Sequence, residues 1–251
     1  MIASLPMYDR AETAVANDAL WAGMRAALGY GPDRLNRNGD LWADWRNPDL
    51  LVSQTCGYPY RAHLHGHVQV LGTPDHGLPG CPPGYYNSVL IARRDDARTT
   101  PEDFAAARFA FNEPLSQSGW AAPQTFAATR GFAFTRPIQT GGHIISAQAV
   151  SDGHADIAAI DALTWALIQR HDAFAAVLKE IARTEPTPAL PYITARGRDA
   201  TALTDVLTHA IAQLAPKHRD ALMLRDLVQI PASLYLAIPS PAAPHNAAQL
   251  A

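Results

Sequence analysis

Short apolar runs that end in turn residues and lead into helix-type segments restrict this chain to an α/β fold. Arg108-Phe109-Ala110-Phe111 reads as a strand and is followed by Ser116-Gln117-Ser118-Gly119-Trp120 and a helical stretch to about Thr129. A helix follows over His143 to Ser151. Ile157 to Ile160 then reads as a strand that ends at Asp161 and passes into a helix from Ala162 to about Gln169. Such strand-helix alternation is the mark of an α/β sheet. At the first of these helix starts, two hydroxyls, a glycine and the free N–H groups of an opening helix converge, a combination suited to a small anion. Pro123 would remove a hydrogen bond and clash in a helix running unbroken from Gln117. A loose first turn over Ser118 to Ala122 is therefore expected, with the regular helix starting near Pro123.

The 251 residues, 48% hydrophobic, suffice for one large α/β domain or two lobes of roughly 100–150 residues each. A net charge of −3 and 20 Lys plus Arg with no dense basic block give no footprint for a nucleic acid or an anionic membrane surface. No apolar run approaches the roughly 18–20 residues that a membrane span needs. The first residues, Met1 to Tyr8, lead straight into a strand without the basic, apolar and cleavage regions of an export signal. As written the chain is expected in the cytoplasm, and in the periplasm if such a signal has been removed. Cys56 and Cys81 fit no metal or redox spacing and read as reduced thiols.

Along the first part, Ala16, Leu20, Met24 and Leu28 make one face of a helix that Gly29 can end. Asp40 can cap a short turn through Trp45, and Leu50 to Gln54 reads as a buried strand. Ligands of open α/β sheets lie beyond the carboxyl ends of strands, so Thr55, Cys56, Gly57 and Tyr58 are binding candidates. His63 and His65 fall two positions apart on a helix and point in different directions, so the row His63, His65, His67 predicts no metal site. No cofactor motif is present either. Val68 to Gly72 and Ser88 to Arg93 read as strands, and the polar stretch Arg94 to Pro101 marks a first crossing between lobes. Glu185 to Pro191 is a stiff second crossing. One lobe is then 1–91 with 186–251, and the other 92–185. Thr201 to Ala215 is an amphipathic helix capped by Asp199 and stopped by Pro216; Ala221 to Leu227 is a further helical stretch, and the tail from Pro239 is expected to fray.

The opening strand ending in Tyr8, Leu51 to Tyr60, Gly80 to Tyr86, Ser116 to Trp120, Thr140-Gly141-Gly142-His143, and Val150 to Asp156 leading into Asp161 together resemble the PhnD-type phosphonate, phosphate or phosphite substrate-binding proteins. These belong to the type II periplasmic-binding-protein superfamily of ABC importers. The resemblance implies an α/β fold of two lobes joined by two hinge crossings and closing on a ligand. It implies that Ser116 and Ser118 donate hydroxyls and amides to an oxyanion, that His143 adds an N–H, that Tyr8 reaches in from the first lobe, and that Asp161 holds a ligand amine. An ABC permease is the implied partner if the chain is exported. Gln117 and Trp120 depart from the usual small hydroxyl and Tyr or Phe, and so bear on pocket volume. The rival expectations are a cytoplasmic enzyme on this scaffold, of menaquinone- or thiamin-precursor type with His143 and Asp161 as an acid-base pair, and a ligand sensor. No nucleophile-base or paired-carboxylate motif announces catalysis.

Overall fold

In chain order the strands are β1 (Ile2–Ala3), β2 (Leu50–Gln54), β3 (Val68–Asp75), β4 (Tyr85–Tyr86), β5 (Ser88–Arg93), β6 (Arg108–Phe111), β7 (Arg136–Gln139), β8 (Ile157–Asp161), β9 (Leu178–Arg183), β10 (Thr187–Pro188), β11 (Tyr192–Ala195), β12 (Asp226–Val228) and β13 (Ala248–Gln249). They belong to a computed structural model that describes residues 1–244 and 248–249. The chain divides into two units, the first made of Met1–Tyr85 and Pro188–Ala237, the second of Tyr86–Thr187 and the stretch beginning at Ile238.

The first unit is a sheet in the order β1-β2-β11-β3-β12. β1 runs parallel to β2, and β11 lies antiparallel between β2 and β3. Successive side chains of a strand point to opposite faces, and the sheet uses that to build two cores. Leu51 and Tyr192 pack with Leu20, Trp21 and Met24 of the helix Ala14–Leu28 and with Leu203, Leu207 and Ile211 of the helix Ala200–Gln213. Leu50 and Ile193, one residue away on each strand, join Trp45, Tyr60, Leu64 and Tyr235 in the other core. The helix ends follow their local chemistry. Gly29 takes φ 75° to stop the first helix, and the Asp199 carboxylate accepts from the Ala202 N–H at 3.0 Å to start the other.

Tyr235 ties the second of these cores together. Its ring is buried, its hydroxyl donates to the Ala189 carbonyl at 2.8 Å, and Thr73 Oγ1 lies at 2.6 Å. Burial pushes the Tyr235 phenol well above its ordinary range. Tyr235→Phe leaves Thr73 Oγ1 and the Ala189 carbonyl in the core without that hydroxyl, and is expected to cost about 1–3 kcal/mol. Chemical denaturation of the variant against the parent checks it.

The second unit is a sheet in the order β13-β7-β6-β8-β5-β9. β7, β6 and β8 are parallel neighbours, and β5 is antiparallel to both β8 and β9. Phe109 and Phe111 are fully buried, and Phe109 stacks on Phe134 with centroids 4.4 Å apart. At the start of β6, Arg108 makes a fork to Asp156 through Nη2–Oδ1 at 2.9 Å and Nε–Oδ2 at 3.1 Å. The two carboxyl-end turns of β6 and β8 thus leave the same edge of the sheet.

Several expectations change. Ser88 to Ile91, placed in the first lobe, belong with Ala92 and Arg93 to an interior strand of the second unit, because its hydrogen bonds go to β8 and β9. The division accordingly falls at Tyr85 and Tyr86, before the polar stretch 94–101 rather than in it. Pro216 does end one helix, but it also opens another, Pro216–Ala221, as Pro suits a first helical turn. The expected helix Ala221 to Leu227 is replaced by that helix and by β12, which pairs antiparallel with β3. From Pro239 the tail was expected to fray; within its described residues the Ala242 carbonyl accepts from Trp120 Nε1 at 2.9 Å and Ala248–Gln249 pairs with β7, while residues 245–247 and 250–251 lie outside the described residues. The helix after Ser116 behaves as its proline requires. Gln117–Ala121 is a wide π-type turn in which the Ala121 N–H reaches the Ser116 carbonyl at 3.0 Å, and the α-helix Ala122–Thr129 carries Pro123 in its first turn. No described helix is long and apolar enough to cross a membrane.

Candidate functional site

Three neighbouring parallel strands of the second unit end in the segments that the sequence singled out. β6 ends at Phe111 ahead of Ser116, β7 at Gln139 ahead of His143, and β8 at Asp161. That edge, the carboxyl ends of parallel strands, is where α/β sheets place ligand-binding groups.

The Ser116 turn is held from inside. Ser116 Oγ accepts from the Gly119 N–H at 2.9 Å, which is N-capping, and the hydroxyl keeps its own hydrogen to give. Asn112 explains why residue 119 is glycine. A Cβ there would lie 1.8 Å from Asn112 Oδ1 and 3.2 Å from Ser116 Oγ. Asn112 Oδ1 is buried and has no hydrogen-bond partner among the described residues. Ser116, Gln117, Ser118 and Trp120 are all buried, so the hydroxyls sit in a poorly solvated place where a hydrogen bond to a charged group carries more weight.

His143 is carried to this turn by the end of β7. The Thr140 and Gly141 N–H groups donate to the Phe111 and Asn112 carbonyls, each at 2.9 Å, which fastens the loop to the end of β6. Gly141 takes φ +85°, a left-handed conformation open to glycine, and the helix His143–Ser151 begins just beyond it. His143 Nε2 then lies 2.9 Å from Ser118 Oγ. The imidazole keeps part of its surface in solvent, Nδ1 is buried without a partner among the described residues, and the Ala159 carbonyl is near the ring. Burial pushes its pKa down to about 4, against a small opposing effect of that carbonyl. At neutral pH His143 is uncharged and has one N–H. With the proton on Nε2 it donates to Ser118, whose hydroxyl can then turn to another acceptor; with the proton on Nδ1 the direction reverses.

Asp161 is buried, and its Oδ1 accepts from the Leu163 N–H at 2.8 Å and the Thr164 N–H at 3.0 Å. It is the N-cap of the helix Ala162–His171. The side chain that His143 meets is Ser118, at 2.9 Å.

In the first unit, Thr55 follows β2 and is buried; its N–H donates to the Pro191 carbonyl at 3.1 Å, and its Oγ1 has no partner among the described residues. Tyr58 is buried under the Arg61 guanidinium, 4.4 Å from its ring centroid. Tyr8 is half-buried and meets His76 edge-on, with centroids 5.6 Å apart. Sequence reasoning passed over His76 and Asn112. His76 Nδ1 lies 3.1 Å from the Met223 carbonyl, while Nε2 is buried without a partner among the described residues. Only its place at the end of β3 could have drawn attention to it. Cys56 and Cys81 form no disulfide, and no group of three His, Cys, Asp or Glu among the described residues could hold a metal ion.

Residues 47–231 match the family model described as ABC transporter, phosphonate, periplasmic substrate-binding protein. None of the curated proteins compared matches the chain in sequence. Among solved structures, PhnD1 from Prochlorococcus marinus in complex with methylphosphonate superposes with a TM-score of 0.74 at 15% identity, covering 93% of this chain and 94% of that one. A binding protein component of an ABC phosphonate transporter from Pseudomonas aeruginosa gives 0.67 at 18% identity, covering 90% and 80%. XAC2383 from Xanthomonas citri bound to ATP gives 0.66 at 15%, covering 92% of each chain. At such identities these likenesses establish the two-lobed type II binding-protein fold.

Proposed function

The chain belongs to the family of phosphonate substrate-binding proteins of ABC transporters, and from that premise we propose that it binds a small phosphonate- or phosphate-like oxyanion through Ser116, Ser118 and His143. Membership itself carries the coarser statement: the ligand is a small molecule and the partner an ABC permease. The cytoplasmic placement expected from the first residues finds no support in a family described as periplasmic, and we place the protein in the periplasm.

The observation that carries the proposal is the bond between Ser118 Oγ and His143 Nε2, which brings two segments 25 residues apart to one capped turn. A tetrahedral oxyanion accepts from both serine hydroxyls and from the opening amides of the turn, in the positive field of a helix start. Hydrogen bonds to a charged group contribute about 1.5–3 kcal/mol each, and a partly buried helix start adds up to about 2 kcal/mol. Two or three such bonds are enough without an Arg or Lys, even after desolvation is subtracted. Gln117 is the member of the turn assigned to ligand size. Tyr8, Thr55 and Tyr58 are proposed as ligand-binding residues of the first unit, and Asp161 as the carboxylate that holds a ligand amine.

The test is a panel of methylphosphonate, phosphate and phosphite, read by thermal unfolding and phosphorus NMR. A ligand at a hundred times its Kd stabilises by about 2.7 kcal/mol, which is a shift of several degrees for a chain of this size. At least one of the three is expected to give it. Failure of all three at millimolar concentration overturns the anion reading.

A further inference from the structure

We propose that the first unit carries a second anion site, a basic depression that takes a small multivalent phosphate with the chemistry of a diphosphate. Arg46, His63, His67 and Arg196 line one depression of about 450 Å³, walled by Pro48 and Ala195, and no acidic residue is among its lining. The volume falls within the range of small-ligand sites.

The sheet brings these residues together. β11 is antiparallel to β3 with Ala195 opposite Val68, so Arg196 leaves β11 where His67 enters β3. Arg46 ends the short helix Leu41–Arg46 that precedes β2, and His63 lies in the turn Tyr60–Leu64 that leads to β3. All four gather where β2 and β3 begin and β11 ends. Thr55 lies at the other end of β2, about 16 Å away at roughly 3.3 Å per residue.

Neither arginine of the depression is tied up by a carboxylate among the described residues. Arg37, Arg98 and Arg108 are each bonded to carboxylates. Arg46 has its guanidinium 5.0 Å over the Trp42 ring and no carboxylate partner among the described residues. Arg196 gives one N–H to the Gly66 carbonyl at 3.1 Å and likewise has no carboxylate partner among them. The nearby Asp49 is engaged by Arg198 at 3.4 Å. A guanidinium fork fits phosphate oxygens in pairs, and two arginines lining one depression, in a chain of net charge −3, suit an anion with two phosphoryl groups. A protein-docking surface would call instead for an exposed apolar centre with aromatic residues, and this depression offers cations.

The experiment is calorimetric titration of the full chain with inorganic pyrophosphate at low ionic strength, with ADP as a second carrier of the same diphosphate. Pyrophosphate is expected to bind and to be weakened by salt. Arg46→Gln and Arg196→Gln should each weaken it at least about tenfold, the loss of one charge-assisted contact. ADP should lose affinity in the same two variants. Ser118→Ala should leave pyrophosphate binding intact, both arginine variants should leave methylphosphonate binding unchanged, and Arg196→Gln should leave the unfolding temperature unchanged as well. Arg196 packs on no aromatic ring among the described residues, so its variant reads binding without disturbing Trp42. The proposal is overturned if pyrophosphate does not bind at millimolar concentration, if neither arginine variant weakens it, if Ser118→Ala abolishes it, or if an acidic peptide outcompetes it.

Discussion

Gly119→Ala is expected to weaken methylphosphonate binding by about a hundredfold or more and to lower stability by about 1–3 kcal/mol, the usual cost of forcing atoms into a packed site. The reason is local. The added methyl would sit 1.8 Å from Asn112 Oδ1, 3.0 Å from Asn112 Cγ and 3.2 Å from Ser116 Oγ. Asn112 must swing away or the turn must open. An opened turn breaks the Gly119 N–H to Ser116 Oγ cap and moves Ser118 off His143 Nε2. Losing two charge-directed hydrogen bonds at about 1.5–3 kcal/mol each accounts for the loss of affinity. Calorimetric titration and thermal unfolding of the one variant read both effects. Gly131→Ala is the control, since no atom lies within 4 Å of its Cβ position; its φ of +79° adds strain but leaves the Ser116 turn untouched, so only stability should change.

The second large effect is a loss of stability on mild acidification. His76 and His143 are both pushed down to about 4, in each case chiefly by burial. In the unfolded chain a histidine titrates near 6.5. Between those values the unfolded state binds a proton that the folded state refuses, so stability rises with pH across that window and is lost as pH falls from about 6.5 towards 4. From His76 alone, which is 7% exposed, the loss between pH 7 and pH 5 is on the order of 2 kcal/mol. His143 adds in the same direction. Burial raises Asp44 and Glu113, and these carboxylates act in the opposite sense. The decisive comparison is therefore urea unfolding at pH 7 and pH 5 for the parent and for His76→Gln. The variant is expected to lose most of the His76 share of the slope. An equal slope in both would mean that His76 is protonated in the folded protein.

Much of the architecture can be read along the chain because it rests on local chemistry. Gly29 and Asp199 end and begin helices by backbone conformation and capping, and Pro123 forces the wide turn before the helix Ala122–Thr129. What escaped notice depends on partners far away in sequence. β7 is hidden by Arg136 and Pro137, which fit a strand only because β6 is there to pair with it. Ser88 to Arg93 reads as a strand from its own residues, but only β8 and β9 decide which unit owns it. The tail beyond Pro239 looks structureless until the Trp120 indole finds the Ala242 carbonyl.

The same holds for the candidate site. Ser116 and Ser118 announce themselves as two hydroxyls at a helix start, and Asp161 as a cap. The bond from Ser118 to His143 is a tertiary event, and so is the clearance that Asn112 demands of Gly119. The basic depression combines residues from three stretches of the chain, 46–48, 63–67 and 195–197, and no spacing rule would collect them. The histidine row that looked like a ligand set contributes two of its members there, while His65 turns to the Tyr60 ring with centroids 5.9 Å apart.

The most direct measurement is calorimetric titration of the parent protein and of Ser118→Ala with methylphosphonate, with thermal unfolding of both chains beside it. Oxyanion binding at the Ser116 turn predicts that the parent binds and that the variant, folded to the same temperature, binds about 10- to 150-fold more weakly, the equivalent of one hydrogen bond to a charged group. Equal affinity in the two proteins would contradict it.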